Sequence, residues 1–144
     1  MTRSFQAQDP DFEQRVRENF GRQQVMQLIG AGLKRVEPGA VDIVLPYRKD
    51  LTQQDGYVHA GILTTVADSA CGYAAYTLMP AGSEVLSVEF KANLLRPAAG
   101  EVFVAEARVV KPGKTLTVTR CDIYGHVADE AKLVATMLAT MIRR

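Results

Sequence analysis

The feature that most constrains this chain is the segment of residues 59–79, which is apolar around almost the whole circumference of a helix. The residues that cover this helix surface are Ile62, Leu63, Val66, Ala67, Ala70, Cys71, Ala74 and Ala75. A helix of this kind is stable only when it is buried, so other elements must enclose it. Pro80 and Gly82 follow directly and end the helix. The sequence therefore predicts a long central helix inside the domain.

The segments on both sides of this helix have the pattern of β-strands. Residues 33–37 and 41–45 are short apolar runs separated by the turn Pro38-Gly39. After the helix, apolar and polar residues alternate over residues 86–94, which is the period of a strand. Three further strands are predicted in residues 102–110, 116–122 and 133–142. An α+β arrangement, with a curved antiparallel sheet wrapped around the central helix, buries these apolar surfaces.

An additional N-terminal helical segment is predicted in residues 1–30. Asp9 can cap a helix that begins at Pro10, where the missing N–H does no harm. The apolar residues that follow at a spacing of four are Phe12, Val16 and Phe20. Gly21 is a candidate interruption of this helix. Because the chain contains no linker or repeat, we predict one domain over residues 1–144.

Composition and charge exclude several classes of function. The 144 residues carry 17 Lys and Arg against 16 Asp and Glu, and a net charge of +1 argues against a nucleic-acid partner. Without a signal peptide or a bilayer-spanning stretch, we expect no membrane partner and a cytoplasmic location. Cys71 and Cys121 are expected to be buried free thiols. His59 and His126 share no metal-ligand spacing with carboxylates, so no metal or other cofactor is expected. His126 is expected at the surface, in a polar connection over residues 124–130.

Asp68 is the exception within the apolar helix. Its neighbours in sequence and on the helix surface are Val66, Ala67, Ala70 and Cys71. An unpaired carboxylate among such residues costs free energy, and functional acids are often found in such desolvated places. Spacing alone leaves two interpretations open. Asp68 either lies on the one solvent-facing stripe of the helix or is a functional acid.

The residues before the helix favour a functional acid. His59-Ala60-Gly61 leads directly into a helix whose first backbone N–H groups have no partners within the helix. These donors, together with the helix dipole, stabilise an anion or a carbonyl oxygen that gains negative charge. The small residues Ala60 and Gly61 let a ligand approach the main chain closely. An ordinary glycine-containing helix start is the alternative interpretation of the same residues.

The motif formed by His59-Ala60-Gly61, six further residues and Asp68 resembles a family signature. It is similar to the His-Gly-Gly…Asp pattern of PaaI-like acyl-CoA thioesterases, which belong to the hotdog-fold, 4-hydroxybenzoyl-CoA thioesterase-like superfamily. Three further segments resemble family segments and occur in the expected order, in residues 36–39, 87–97 and 111–115. Together these matches cover most of the chain after about residue 30, and the ordered set is more specific than the motif alone.

The resemblance implies a hotdog fold, a homodimer, often paired into a homotetramer as a dimer of dimers, and active sites between subunits. It implies that the backbone N–H of Ala60 polarises the thioester carbonyl. Asp68 of the other subunit is then the nucleophile or the general base. Gln53 matches a Gln or Asn, fifteen positions before the acid, that orients the reacting groups. Ser87 matches a position that places the attacking water, and His59 organises the loop at the helix start.

The resemblance also implies which residues bind the CoA part of a substrate. Gly61 belongs to the segment where the substrate approaches the main chain. Lys111, Lys114 and Thr115 lie at a predicted Gly-containing hairpin near the nucleotide, and Arg96 is a second candidate for the phosphates. For each of these side chains, a solvated turn or strand end is the alternative interpretation.

The expected activity is therefore hydrolysis of an acyl-CoA thioester, aryl or fatty acyl, to a free acid and a free thiol. The family commonly has Gly at the position of Ala60, whose methyl group narrows the pocket and bears on the acyl-group preference. A non-catalytic acyl-CoA-binding module is the alternative; the presence of Asp68 and the lack of an attached output segment argue against it. A hydroxyacyl dehydratase is a weaker third interpretation because its pairing of His and acid is not found.

Overall fold

In the computed structural model, which describes residues 4–144, a six-stranded antiparallel sheet packs around one long helix. The helices are α1 (Phe12–Gly21), α2 (Gln24–Ile29) and α3 (Ala60–Tyr76), and a 3-10 turn spans Lys49–Leu51. The strands are β1 (Gly32–Glu37), β2 (Ala40–Pro46), β3 (Val85–Leu94), β4 (Val102–Lys111), β5 (Leu116–Val127) and β6 (Glu130–Arg143). This is the predicted α+β hotdog architecture, and the fold prediction is confirmed; the first three residues of the predicted domain lie outside the described part.

The central helix α3 is buried on most of its circumference, as its apolar composition predicts. Ten of its seventeen residues are buried, including Leu63, Val66 and Tyr73. Five of the seven less buried positions form one stripe along the helix at a spacing of three or four residues. This stripe consists of Gly61, Thr64, Thr65, Asp68 and Gly72. Asp68 therefore lies on the stripe of α3 that is least covered in a single chain.

The sheet has the strand order β1-β2-β4-β5-β6-β3, so β1 and β3 are its edges. The core rows run across the strands in register. One row pairs Val41 with Ala107, Ala107 with Cys121 and Cys121 with Met137, and all four side chains are buried. Cys121 and Cys71 of α3 are free, buried thiols, as predicted. Side chains of these strands alternate between the face on α3 and the outer face of the sheet. In β3 a bulge between Ser87 and Glu89 shifts this alternation, so the polar Ser87 contacts α3.

The N-terminal segment forms two helices, and the first begins later than predicted. The Asp9 carboxylate accepts a hydrogen bond from the Asp11 N–H at 2.9 Å, and the Asp9 carbonyl accepts one from the Phe12 N–H at 3.2 Å. Asp9 and Pro10 therefore belong to a turn before α1, and the predicted helix start at Pro10 is wrong by two residues. Gly21 ends α1, and α2 follows from Gln24.

The connection predicted over residues 124–130 is mostly strand. The strand β5 continues to Val127, and β6 begins at Glu130, because Ala128 adopts a left-handed backbone conformation (φ 49°) that closes a tight turn. His126 consequently lies on β5, opposite Val102 of β4. Its side chain is half-buried, and its Nε2 atom is enclosed without a hydrogen-bond partner among the described residues. The expectation of a surface loop histidine is therefore wrong.

Arg15 of α1 binds the C-terminal end of α3. Its guanidinium donates to the carbonyls of Tyr76 at 3.0 Å, Met79 at 2.9 Å and Pro80 at 2.6 Å. It also lies 4.4 Å from the centre of the Tyr76 ring and 3.5 Å from the Asp9 carboxylate. Carbonyls at the end of a helix lack hydrogen-bond donors within the helix. This one side chain supplies donors to three carbonyls at and just after the end of α3. The contact fixes the N-terminal helices on α3.

Replacing Arg15 by Met should lower the free energy of unfolding by about 2 kcal/mol, because the carbonyls of Tyr76, Met79 and Pro80 lose their charged donor while the apolar stem is kept. Urea unfolding followed by circular dichroism measures this. Arg17→Met is the matched control, since Arg17 forms only an exposed pair with Glu13 and should change stability by less than about 0.5 kcal/mol. Equal effects of the two substitutions would contradict the anchoring role of Arg15.

Candidate active site

The loop before α3 is held in one conformation by its own hydrogen bonds. Thr52 and Val58 form a β-bridge, and the Gln53 N–H donates to the Tyr57 carbonyl at 2.9 Å. The His59 N–H then donates to the Leu51 carbonyl at 2.9 Å. These bonds fix the direction in which the chain enters α3.

His59 caps α3 and leaves one backbone donor free. Its Nδ1 accepts a hydrogen bond from the Gly61 N–H at 2.8 Å, and its carbonyl accepts from the N–H groups of Ile62 and Leu63 at 2.9 and 3.2 Å. Within residues 4–144, no hydrogen bond engages the Ala60 N–H. Because the helix N-terminus carries partial positive charge, this free N–H is the donor best placed for an oxygen that gains negative charge.

The Ala60 residue lines a cavity of about 500 Å³ that we call the donor cavity. The residues that line it are Gln53, Tyr57, Val58, Ala60, Leu63, Leu94, Leu95, Arg96, Pro97 and Ala98. The Gln53 side-chain oxygen accepts from the N–H groups of Asp55 at 2.6 Å and Tyr57 at 3.4 Å, which leaves its NH₂ group as a donor. Gln53 and Ala60, predicted as site residues, therefore share this cavity.

Asp68 lies beside the edge strand β3. The Ser87 hydroxyl donates to the Asp68 carboxylate at 2.6 Å, so the structure brings together two of the predicted site residues. The Ser87 hydroxyl also lies 3.4 Å from the Met141 sulfur. No ion pair engages Asp68 in the described part of the chain. Its carboxylate is thus oriented by one hydroxyl and is half-buried.

Asp68 lines a second cavity of about 240 Å³, which we call the acid cavity. The residues that line it are Asn19, Gln23, Asp68, Ser69, Gly72, Tyr73, Val85, Leu86, Ser87 and Met141. The sequence did not indicate Asn19 or Gln23, which come from the N-terminal helices. The Tyr73 hydroxyl donates to the Asn19 side-chain oxygen at 2.9 Å, and burial raises the pKa of Tyr73 to about 12.

The free donor and the acid are too far apart in one chain to act on the same carbonyl group. Asp68 lies eight positions after Ala60 on α3, which corresponds to about 12 Å along the helix axis. They also line different cavities. A site that uses both groups therefore needs the donor cavity of one chain and the acid cavity of another.

The predicted phosphate-binding residues lie in two places. Arg96 lines the donor cavity, and its Nη1 donates to the Leu133 carbonyl at 3.0 Å. Lys111, Lys114 and Thr115 lie at the β4–β5 hairpin near the other end of α3. Lys114 lines a cavity of about 430 Å³ there, together with Met79, Pro80 and Arg143 among others. One chain does not bring these cations together.

The fold also bears on metals and membranes. No group of three or more His, Cys, Asp or Glu side chains in residues 4–144 could hold a metal ion. In the same range, no helix is long and apolar enough to cross a bilayer.

Comparison with known proteins shows which family this chain resembles in sequence. The thioesterase superfamily matches residues 55–126, which is half of the chain and includes both Ala60 and Asp68. The crystal structure of a thioesterase family protein from Silicibacter pomeroyi is 50% identical, with a TM-score of 0.90 over 92% of this chain and 97% of that one.

A more distant solved structure has the same fold, and a further relative is similar in sequence. The Escherichia coli PaaI protein, from the phenylacetic acid degradation operon, is 21% identical, with a TM-score of 0.83 over 93% of this chain and 94% of that one. A Halobacterium salinarum protein is 29% identical over 120 residues, which cover 80% of this chain and 78% of that protein. An esterase activity has been inferred for it.

The cap at the start of α3 leaves little room for a side chain at position 61. A Cβ atom there would lie 3.1 Å from the His59 Nδ1, so the imidazole would have to shift by a few tenths of an ångström and the capping bond would weaken. Gly61→Ala should therefore lower the free energy of unfolding by about 1 kcal/mol, although alanine favours helices. Gly72→Ala is the matched control, since a Cβ there meets nothing within 4 Å and should stabilise the protein by up to about 1 kcal/mol. Thermal unfolding of both variants is the measurement, and equal stabilisation would contradict the proposed cap.

Proposed function

This chain belongs to the thioesterase superfamily, and we propose that it hydrolyses an acyl-CoA thioester to the free acid and free CoA. Membership of the family supports thioester hydrolysis in general; the CoA thioester and the roles of individual residues are our proposal. The observation that carries it is the pairing of a free backbone donor, the Ala60 N–H, with an oriented carboxylate, Asp68, on the same helix.

The reaction needs a base or nucleophile near the carbonyl carbon and a donor near the carbonyl oxygen. With Asp68 as general base, the carboxylate removes a proton from water while the water oxygen bonds to the carbonyl carbon. The electron pair of the C=O double bond moves to the oxygen, where the Ala60 N–H stabilises the negative charge. The C–S bond then breaks, and the CoA thiolate takes the proton from Asp68.

Asp68 acting as nucleophile is the second route through the same residues. Its carboxylate oxygen then bonds to the carbonyl carbon, and the C–S bond breaks with release of the CoA thiolate. Water hydrolyses the resulting mixed anhydride to the free acid and the Asp68 carboxylate, and the proton released from water goes to the thiolate. In both routes the Ser87 hydroxyl orients Asp68, and the free NH₂ group of Gln53 donates to the substrate or the water in the donor cavity. His59 is a positioning residue, because it acts through the cap on Gly61.

The exposed edge strand β3 supports a site made by two copies of the chain. Four apolar side chains of β3 are between 45% and 56% exposed in the single chain, which is unusual for neighbouring residues on one strand. These are Leu86, Val88, Phe90 and Leu94. An edge strand of this kind is a template for pairing with another strand. We therefore propose a homodimer in which the two β3 strands pair.

A two-fold axis through this pairing would place the acid of one subunit beside the donor of the other. Ser87, at one end of β3, binds Asp68, whereas Leu94, at the other end, lines the donor cavity with Ala60. If the antiparallel pair is centred on Phe90, which then lies opposite its own copy, Ser87 of one subunit lies opposite Asn93 of the other, one residue from Leu94. Two identical sites then form, each with one Ala60 and one Asp68.

Four of the predicted residues are proposed to bind the phosphates of CoA. Arg96 lies in the donor cavity, and Lys111, Lys114 and Thr115 lie at an exposed hairpin that a second or third subunit could bring closer to the substrate. A homotetramer, as a dimer of dimers, is part of this proposal. No step of the proposed reaction uses a metal or another cofactor.

Asp68→Asn should lower kcat for the best acyl-CoA by about 10³-fold, because asparagine is neither a base nor a nucleophile in this position. Gln53→Ala should lower it by about tenfold, because only an orienting donor is lost. Asp129→Asn, in the exposed turn between β5 and β6, is the control and should be unchanged. Release of free thiol over a panel of acyl-CoAs is the measurement.

Saturable binding of acyl-CoA without hydrolysis by the wild type would instead indicate a binding module.

Mixing two inactive variants tests the shared site. Ala60→Pro removes the free N–H but suits the first position of a helix, and His59 already has the extended backbone that precedes proline (φ −60°, ψ 137°). Ala60→Pro and Asp68→Asn should each be inactive alone. Unfolded and refolded together, they should recover about a quarter of the wild-type activity, because half of the dimers then carry one intact site. No recovery would mean that each chain holds a complete site.

A further inference from the structure

The acid cavity contains two side-chain amides that the proposed hydrolysis does not use. Asn19 belongs to α1, and Gln23 lies between α1 and α2. The Asn19 side-chain oxygen accepts from the Tyr73 hydroxyl at 2.9 Å, and the Gln23 side-chain oxygen accepts from the Ser69 hydroxyl at 3.1 Å. Both oxygens are therefore bound to α3, and the orientation of both amides is fixed.

In this orientation the NH₂ groups of both amides are free to donate. In the part of the chain that the structure describes, no hydrogen bond engages Nδ2 of Asn19 or Nε2 of Gln23. The Tyr73 hydroxyl uses its one O–H to donate to Asn19, so it can only accept further hydrogen bonds. A ligand group that reaches this wall finds two NH₂ donors, so it is bound best when it carries an oxygen that accepts hydrogen bonds.

The size and charge of the acid cavity narrow the ligand group further. Its volume of about 240 Å³ lies below the roughly 300–1,000 Å³ of sites that enclose drug-sized ligands, so it holds neither a long alkyl chain nor the CoA arm. Its lining contains no Lys or Arg, and it contains the Asp68 carboxylate. A second carboxylate would be repelled there, whereas a neutral oxygen would not.

We propose that the acid cavity receives the far end of the acyl group, and that Asn19 and Gln23 select a short acyl group that carries a neutral keto or hydroxyl oxygen. This inference rests on the proposed thioester hydrolysis, because Asp68, which lines this cavity, then lies beside the carbonyl carbon of the thioester. It assigns substrate selection to the N-terminal helices and the chemistry to α3 and β3.

The test compares acyl-CoAs that differ only in this oxygen. The pairs are 4-oxopentanoyl-CoA with 4-methylpentanoyl-CoA and 5-oxohexanoyl-CoA with 5-methylhexanoyl-CoA, in which a methyl group replaces an oxygen of similar size. For the wild type, kcat/KM should be about tenfold higher for the oxo compound in at least one pair, and dodecanoyl-CoA should be the poorest substrate. The ratio within a pair is informative because changes in the overall rate cancel.

Variants assign this preference to the two amides. Asn19→Leu and Gln23→Leu should each bring the ratio to about one, because a donor is lost. Gln23→Glu is the second variant, since it keeps the acceptor for Ser69 but has no NH₂ group, and it should lose the preference as well. Gln24→Leu, an exposed neighbour outside the cavity, is the control and should keep the wild-type ratio. Thermal unfolding verifies that each variant is folded.

The possible results separate this inference from the proposed function. If the wild type hydrolyses acyl-CoAs but does not prefer the oxo compounds, the inference is wrong and the proposed function stands. If the wild type has the preference and folded variants of both Asn19 and Gln23 keep it, the assignment to these amides is wrong. If no thioester is hydrolysed, both proposals fail.

Discussion

The whole fold depends on enclosing a helix that has almost no polar face. Each large apolar side chain of α3, such as Leu63 or Val66, contributes about 1.5–3 kcal/mol when it is removed from water. Five strands of the sheet pack against α3, and the N-terminal helices cover part of the surface that the sheet leaves open. Arg15 supplies donors to the carbonyls at the C-terminal end. The N-terminal end of α3 and one stripe of its surface remain accessible, and the candidate site residues lie there.

Local sequence pattern was sufficient for the elements because burial leaves a local signature. The all-round apolar segment predicted α3, and the alternation over residues 86–94 predicted β3. The errors arose where the usual turn residues are missing or misleading. Ala128 closes the β5–β6 turn without glycine at its left-handed position, and Pro10 lies in a turn rather than at the first position of α1. The strand order could not be predicted from periodicity, because it depends on contacts between distant segments.

In the candidate site, too, residues of a local motif could be predicted, whereas residues placed by distant contacts could not. Ala60 and Asp68 could be found because both belong to one short motif, but only the geometry shows that His59 engages the Gly61 N–H and leaves that of Ala60 free. Asn19 and Gln23 could not be found. They contact α3 through hydrogen bonds to residues 54 and 46 positions away, and nothing in their own neighbourhood distinguishes them from other polar helix residues.

The spacing of eight residues between donor and acid has a mechanical consequence. In the proposed dimer, each α3 would carry the oxyanion donor of one site and the carboxylate of the other. Because α3 is closely packed, it would move as one rigid body. A substrate that displaced α3 along its axis would alter the donor position in its own site and the acid position in the other. The two sites would then share a moving part, so that occupancy of one could change turnover at the other without any contact between the two substrates.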